Sequence, residues 1–331
     1  MGSEGKYLRF GLLLIGGALA IRLMTGGTVS AVLSRPEVLP MLLFLETGRY
    51  AAPRTESQPP AQTQPPPQTL PTPTEPPETP AFSGADADLI TMNNVCGYSV
   101  DVKALLEKPL RWDLTRDGPA VLIVHSHGTE SYEKNGKYQE SSAYRTRDSN
   151  YNVVSMGDRI AQILENGGIG VIHDRTAHDD PSYNSSYANS RASIKAYMDK
   201  YPSIRMVLDV HRDSVTRSDG TQAAYTVTRD GQKIARIMLV VGTDANGNHH
   251  PDWEENMALA VKLHAQLEKS TPGITRTISF RKQRFNQDLS TGSLLIEVGA
   301  AGNTHQEALL GAEQVALGIL ALAKGANEGV Y

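Results

Sequence analysis

Apolar runs and helical periodicities alternate through the second two-thirds of the chain. Residues 120–124 (AVLIV) are an uninterrupted apolar run, the pattern of a strand buried on both faces. Residues 152–166 place Val153, Met156, Ile160, Ile163 and Leu164 at helical spacing, and Gly167-Gly168 ends that helix. The same reading predicts a strand at 170–173, a helix at 187–200 and a strand at 205–210 (RMVLDV). It continues with a strand at 237–241 (IMLVV), a helix at 256–269, a strand at 294–298 (LLIEV) and a last helix at 305–324. Strands alternating with helices predict an α/β domain of three layers, a mostly parallel sheet with helices on both faces. Sites in such sheets gather at the carboxyl ends of the strands.

The first third has a different pattern. Residues 10–21 (FGLLLIGGALAI) carry no charge and are bracketed by Arg9 and Arg22, with apolar character resuming through Leu33. Arginines at the ends of a span can reach the interface, so residues 1–34 are expected to be a transmembrane signal anchor. Ala18-Leu19-Ala20 has the A-x-A form, which keeps a cleaved signal peptide as the alternative. Either reading sends the rest of the chain out of the cytoplasm. Residues 53–80 hold 11 of the 19 prolines, no aromatic residue and one large aliphatic, Leu70. Such a stretch cannot bury enough surface to fold and is an extended spacer. The expected organisation is an anchor at 1–34, a proline-rich extracytoplasmic linker at 35–88 and a globular domain at 89–331.

Charge and cysteine usage then remove function classes. With 32 Lys+Arg against 36 Asp+Glu the net charge is −4, and no basic run is interleaved with aromatics. That excludes the usual nucleic-acid footprint. The single cysteine, Cys96, excludes an internal disulfide framework and any metal site built from two cysteines of the chain.

Chemistry-bearing residues stand at the predicted strand ends. The first strand runs into His125-Ser126-His127-Gly128-Thr129-Glu130, and the RMVLDV strand into His211-Arg212-Asp213-Ser214. The LLIEV strand carries Glu297 near its end. Three strands thus deliver His, His and Glu to one edge of one sheet, a way to build a zinc site with a position left for water. The H-x-H spacing is expected to put both imidazoles on one face of an extended segment. A carboxylate such as Glu297 inside an apolar strand is costly unless it is paired or near a metal. Asp244-Ala245-Asn246-Gly247-Asn248 begins like a calcium loop, but its sixth position, His249, is not the glycine such a loop needs.

These blocks resemble the stage II sporulation protein P family of cell-wall hydrolases. The resemblance is carried by VHSHGTESY (124–132), DVHRDS (209–214), GTDANGNHHPDWEEN (242–256) and FNQDLSTGSLLIEVGAAGNT (285–304). It extends in part to the zinc-dependent N-acetylmuramoyl-L-alanine amidases. It implies an α/β sheet and a peptidoglycan hydrolase that cuts the amide between N-acetylmuramic acid and L-alanine, and peptide cross-links besides. It also implies action during forespore engulfment, with the catalytic domain between the membranes on the mother-cell side. Stage II sporulation proteins D and M are the implied partners.

By the same resemblance His127 and His211 are zinc ligands and Glu297 is the catalytic glutamate. The remaining ligand of the amidases is a glutamate just before a helix, and Asp148 takes that place here; Glu130, three residues from His127, is the rival. His125 is a further ligand or a group supporting one. Arg212 is a candidate for holding a stem-peptide carboxylate or for an ion pair with Asp209 or Asp213. Asn286 and Gln287 are candidates for contacting substrate amides or for capping a loop. Another zinc peptidase of the wall and a non-catalytic wall-binding scaffold are the competing readings.

Overall fold

The computed structural model describes residues 82–110, 113–114, 118–133 and 144–327. The expected anchor and nearly all of the expected linker lie outside the described residues. The strands in chain order are β1 (Met92–Asn94), β2 (Val121–Val124), β3 (Val171–His173), β4 (Met206–Asp213), β5 (Thr226–Arg229), β6 (Gln232–Ala235), β7 (Ile237–Val241), β8 (Ile278–Phe280) and β9 (Gly292–Ala300). The α-helices are α1 (Val102–Glu107), α2 (Val153–Asn166), α3 (Ser186–Lys200), α4 (Trp253–Ser270) and α5 (His305–Asn327). Seven strands form one sheet in the order β1-β8-β7-β9-β4-β2-β3, and β5 and β6 pair as a separate antiparallel hairpin.

All neighbours in the sheet are parallel except β7 and β9. The exception follows from the connections. Between β4 and β7 the chain makes the β5–β6 hairpin and no crossover helix, so it re-enters the sheet at the edge where it left. Strands β9, β4, β2 and β3 therefore end at one edge, and β7, β8 and β1 at the other. The loop after β7, with His249 and His250, accordingly starts at the edge opposite the end of β9.

Period-two alternation divides the strands between two cores. On β4, Leu208 and Val210 belong to the large core, together with Leu294, Ile296 and residues of α2, α4 and α5. Val207 belongs to a smaller core on the opposite face, with Leu122 and Val124 of β2 and Ile194 of α3. Asp209 and His211 alternate with Leu208 and Val210, so they project to the α3 face. The register pairs His211 with Glu297, and Glu297 with Met238 on its other side. One row of side chains across β4, β9 and β7 therefore shares the α3 face. The apolar partners of these strands fill the large core, which anchors the row on a rigid element.

Local signals fix the helices. Asn152 caps α2 by accepting from Val154 N, and Val153, Met156, Ile160, Ile163 and Leu164 are its buried stripe. The helix ends before Gly168, whose φ of 86° suits glycine. Among the described residues one segment, His305–Ala323 of α5, is long and apolar enough to cross a membrane by length and composition. It is 67% buried, and its Ala308, Ala312, Val315, Ala316 and Ile319 lie in the large core.

Candidate metal centre

The chain turns immediately after β2, and this decides where its histidines go. Residues 126–129 form turns, so the segment holding His125 and His127 is not extended and the two rings part. This corrects the expectation of a shared face. The His125 ring is fully buried; its Nδ1 lies 2.8 Å from the Val210 carbonyl and its Nε2 2.8 Å from Nε2 of His173. The His127 ring instead swings toward β4, with its centroid 5.1 Å from that of His211.

Glu130 completes the cluster. Its carboxylate lies 3.7 Å from His127 Nδ1 and 3.3 Å from His211 Nδ1. One donor atom from each of His127, Glu130 and His211 lies within 4.8 Å of the others, and all three residues are buried. Asp148 does not join them. It sits just before α2, where the sequence places it, but it is exposed and accepts hydrogen bonds from the Asn150 backbone and side chain. The short loop 127–130 brings Glu130 back under His127, through the Glu130 N to His127 carbonyl bond of 3.1 Å, whereas the segment holding Asp148 runs over the surface.

The electrostatics are those of a carboxylate and two imidazoles pressed together. Burial would push the Glu130 carboxyl up, but Arg212 and His211 hold it down at about 2. Arg212 Nη1 and Arg145 Nη2 approach that carboxylate at 3.7 and 3.4 Å. Burial pulls His127 below the usual histidine range against the opposing Glu130. His211 goes the other way: despite burial, Asp209 and Glu130 raise it well above that range. Its Nε2 is 2.8 Å from Asp209 Oδ1, which leaves Nδ1 facing Glu130. Asp209 also accepts from the Ser126 backbone at 2.8 Å, tying the end of β2 to β4.

Glu297 stands one strand over, as the register partner of His211. Its Oε2 is buried without a hydrogen-bond partner. Burial raises the carboxyl to about 8, with Glu130 and Asp213 adding to the rise and His211 opposing it. An orphaned carboxyl oxygen in a protein interior is an expensive feature that calls for a functional explanation.

The donors fit a divalent cation. Ligand atoms about 2 Å from a common tetrahedral ion lie about 3.3 Å apart, close to the spacings of Glu130 to the two imidazoles. A ligating histidine whose other nitrogen is held by a carboxylate, as Asp209 holds His211, is the usual way such a ring is oriented. Two imidazoles and one carboxylate suit zinc, and other divalent ions as well.

The other candidates have structural partners. Arg212 is buried, donating from Nε to the Ser131 carbonyl and from Nη2 to the Tyr144 carbonyl, each at 2.9 Å. Its guanidinium supports Glu130 and the loop above it. Asn286 donates to the Tyr187 carbonyl at 2.9 Å, and Gln287 bridges Gly242 N and the Val240 carbonyl. Both amides fasten the loop before β9 to its neighbours.

Several residues at the site escape a reading by strand ends alone. Tyr183 stacks on His127 with centroids 4.5 Å apart and planes 12° from parallel, and Tyr187 meets the same ring edge-on at 5.5 Å. Burial raises the Tyr187 hydroxyl far above the usual phenol range, so it stays protonated. Arg145 lies over Tyr183, 4.8 Å from its centroid, and pairs with Asp179. Tyr183, in the turn that leads into α3, and Tyr187, in the first turn of α3, stand four residues apart, and that spacing was the signal available for them.

Fold and cluster together define an α/β protein with a candidate His-Glu-His metal centre at the carboxyl ends of parallel strands. A model of the Stage II sporulation protein P (SpoIIP) family matches residues 51–319, and the chain belongs to that family. Stage II sporulation protein P of Bacillus subtilis (strain 168) is 32% identical over 204 residues, 58% of this chain and 48% of the relative. The aligned part thus spans about half the length of that curated relative. Among solved structures, N-acetylmuramoyl-L-alanine amidase AmiC2 of Nostoc punctiforme is 17% identical with a TM-score of 0.37, covering 65% of this chain and 98% of the other. The CwlD amidase of Clostridioides difficile, solved in complex with the GerS lipoprotein, is 14% identical with a TM-score of 0.39, covering 60% and 96%.

Proposed function

We propose that this protein is a zinc-dependent peptidoglycan hydrolase of sporulation that cuts the N-acetylmuramoyl-L-alanine amide. The observation that carries the reading is the meeting of His127, Glu130 and His211 beside the unpartnered carboxyl of Glu297. Membership of the stage II sporulation protein P family supports the wall as the setting.

His127 and His211, through the ring atoms that face Glu130, and the Glu130 carboxylate would hold the zinc. When bound, zinc supplies Lewis-acid polarisation of the scissile carbonyl and eases loss of a proton from the attacking water. Asp209 keeps the His211 ring turned to present Nδ1. Arg212 and Arg145 compensate the Glu130 charge, so that carboxylate stays ionised inside the protein. A cation held beside Glu297 would offset the burial that keeps its carboxyl protonated, and the carboxylate would then take a proton from the attacking water and return it to the nitrogen of the leaving L-alanine. The products are a muramic acid lactyl carboxylate and a stem peptide with a free amine.

The proposal extends to topology and partners. Residues 1–34 anchor the chain in the membrane, 35–88 form the stalk, and 89–331 work on the wall outside the cytoplasm during engulfment. Stage II sporulation proteins D and M are the expected partners, and peptide cross-links a further substrate. The test is to digest purified sacculi and identify the new ends. An amidase leaves free lactyl groups on intact glycan strands and complete stem peptides in solution. Release of single terminal residues from stem peptides would instead establish a carboxypeptidase. Binding to sacculi without new ends would establish a scaffold.

A further inference from the structure

A cleft of about 540 Å³ opens on the sheet next to Glu297, and its lining is rich in arginine. It runs from Asp213 at the end of β4 across Met238 of β7 to Ser279 of β8, with Arg236, Arg276 and Arg281 among its walls. Met238 is the register partner of Glu297, so the cleft begins one strand from that carboxyl. Its size is that of pockets that hold groups of small-molecule dimensions.

The lining holds three guanidinium groups and one carboxylate. Arg276 pairs with Asp213 at 2.8 Å and lies flat on the Tyr225 ring, 3.8 Å from its centroid. Arg281 donates from Nε to Ser279 Oγ at 2.7 Å, and Arg236 donates from Nη2 to the Thr275 carbonyl. Among the described residues neither Arg236 nor Arg281 has a carboxylate partner, and Arg236 Nε is buried without any hydrogen bond. The cleft therefore carries an uncompensated positive charge between walls that focus its field. Its guanidinium groups are held by neighbours in fixed positions, the arrangement that recognises carboxylates through paired hydrogen bonds.

We propose that this cleft binds the carboxylates of the wall stem peptide and so fixes which side of the scissile amide lies toward β8. The inference rests on the amidase reading for its choice of ligand. The lactyl carboxyl of muramic acid is consumed in the amide that is cut, so free carboxylates near the bond belong to the peptide side. Arg212, the sequence's own candidate for this task, is occupied at Glu130; Arg236 and Arg281 are the residues with donors to spare.

The experiment uses the full-length chain loaded with zinc and two soluble muramoyl-peptide substrates, one with free stem carboxylates and one with the same groups as carboxamides. The wild-type protein is expected to favour the free acid through KM. Arg281→Gln, an exposed position, and Arg236→Gln should each raise KM for the acid about tenfold, the loss of one charge-assisted hydrogen bond. The carboxamide substrate should be unaffected, kcat should change little, and Arg281→Lys should recover part of the loss. Equal KM for acid and carboxamide in wild type, or equal losses on both substrates in the variants, would overturn the cleft assignment while leaving the amidase reading in place. If wild type cuts neither substrate, the amidase reading fails and calorimetric binding of the two free stem peptides decides the cleft. Tighter binding of the acid, weakened in Arg236→Gln, would uphold it, and equal binding would overturn it. Inorganic phosphate is the competitor that tests chemistry: displacement of the acid peptide by phosphate at equal concentration would overturn a carboxylate-specific site.

Discussion

Replacing Glu297 with Gln should stabilise the cation-free protein while ending hydrolysis. In the folded chain this carboxyl is raised from the ordinary 4.5 to about 8 by burial. Below pH 4.5 the folded and unfolded chains both hold the proton. Between 4.5 and 8 only the folded chain holds it, so stability falls as the pH rises through that window. At pH 7 the accumulated cost to wild type is about 3 kcal/mol, at about 1.4 kcal/mol per pH unit. Glutamine has nearly the same shape and no proton to lose, so it escapes this cost. Chemical denaturation of chelated wild type and Glu297→Gln at pH 5 and pH 7 measures it. The variant should be more stable at pH 7 by about 3 kcal/mol, with a gain of less than about 1 kcal/mol at pH 5. A difference that is the same at both pH values, or that favours wild type at pH 7, would refute the placement of an uncompensated carboxyl at this position.

Glu130→Gln should lose bound zinc and activity together, whereas Asp148→Asn, at an exposed side chain that accepts from Asn150, should keep both within about twofold of wild type; metal analysis after dialysis separates the two. Gly157→Ala on α2 places a Cβ 2.7 Å from His125 Nε2 and 2.5 Å from His173 Nε2, so it should cost about 1–3 kcal/mol in denaturant titration and split the His125–His173 contact. Tyr132→Phe removes a buried hydroxyl that donates to the Val298 carbonyl at 3.1 Å and should cost about 1 kcal/mol, read as a lower denaturation midpoint with unchanged zinc content.

The apolar runs at β2, β4, β7 and β9 carried the sheet in the sequence because central strands buried on both faces leave a signal in every residue. The period of α2 and its closing glycine were equally plain. The antiparallel entry of β7 was hidden: it depends on a short hairpin, β5–β6, whose strands are four residues each and mostly exposed, so they carry little pattern. His211 and Glu297 were legible because a charged or titratable residue in a buried strand stands out. The third member of the cluster was less so. The resemblance put Asp148 in that place with Glu130 as its rival, and the turn at 126–129, which swings Glu130 under His127, is a matter of loop geometry that spacing does not reveal. The same turn separates His125 from His127, against the expectation drawn from an extended segment. Arg212 follows the same lesson, since only the fold shows its guanidinium enclosed by Glu130 and two loop carbonyls.

The central claim is that a metal held by His127, Glu130 and His211 works with Glu297 to cut the muramoyl amide. Its most direct test is one preparation of the full-length chain, measured before chelation, after chelation and after zinc is restored. Bound zinc and the release of intact stem peptides from purified peptidoglycan are followed together, with Glu297→Gln in parallel. The account predicts one zinc per chain, release that vanishes and returns with the metal, and a variant that keeps its zinc and releases nothing. Stem-peptide release that persists in the chelated protein, or at the wild-type rate in Glu297→Gln, would contradict it.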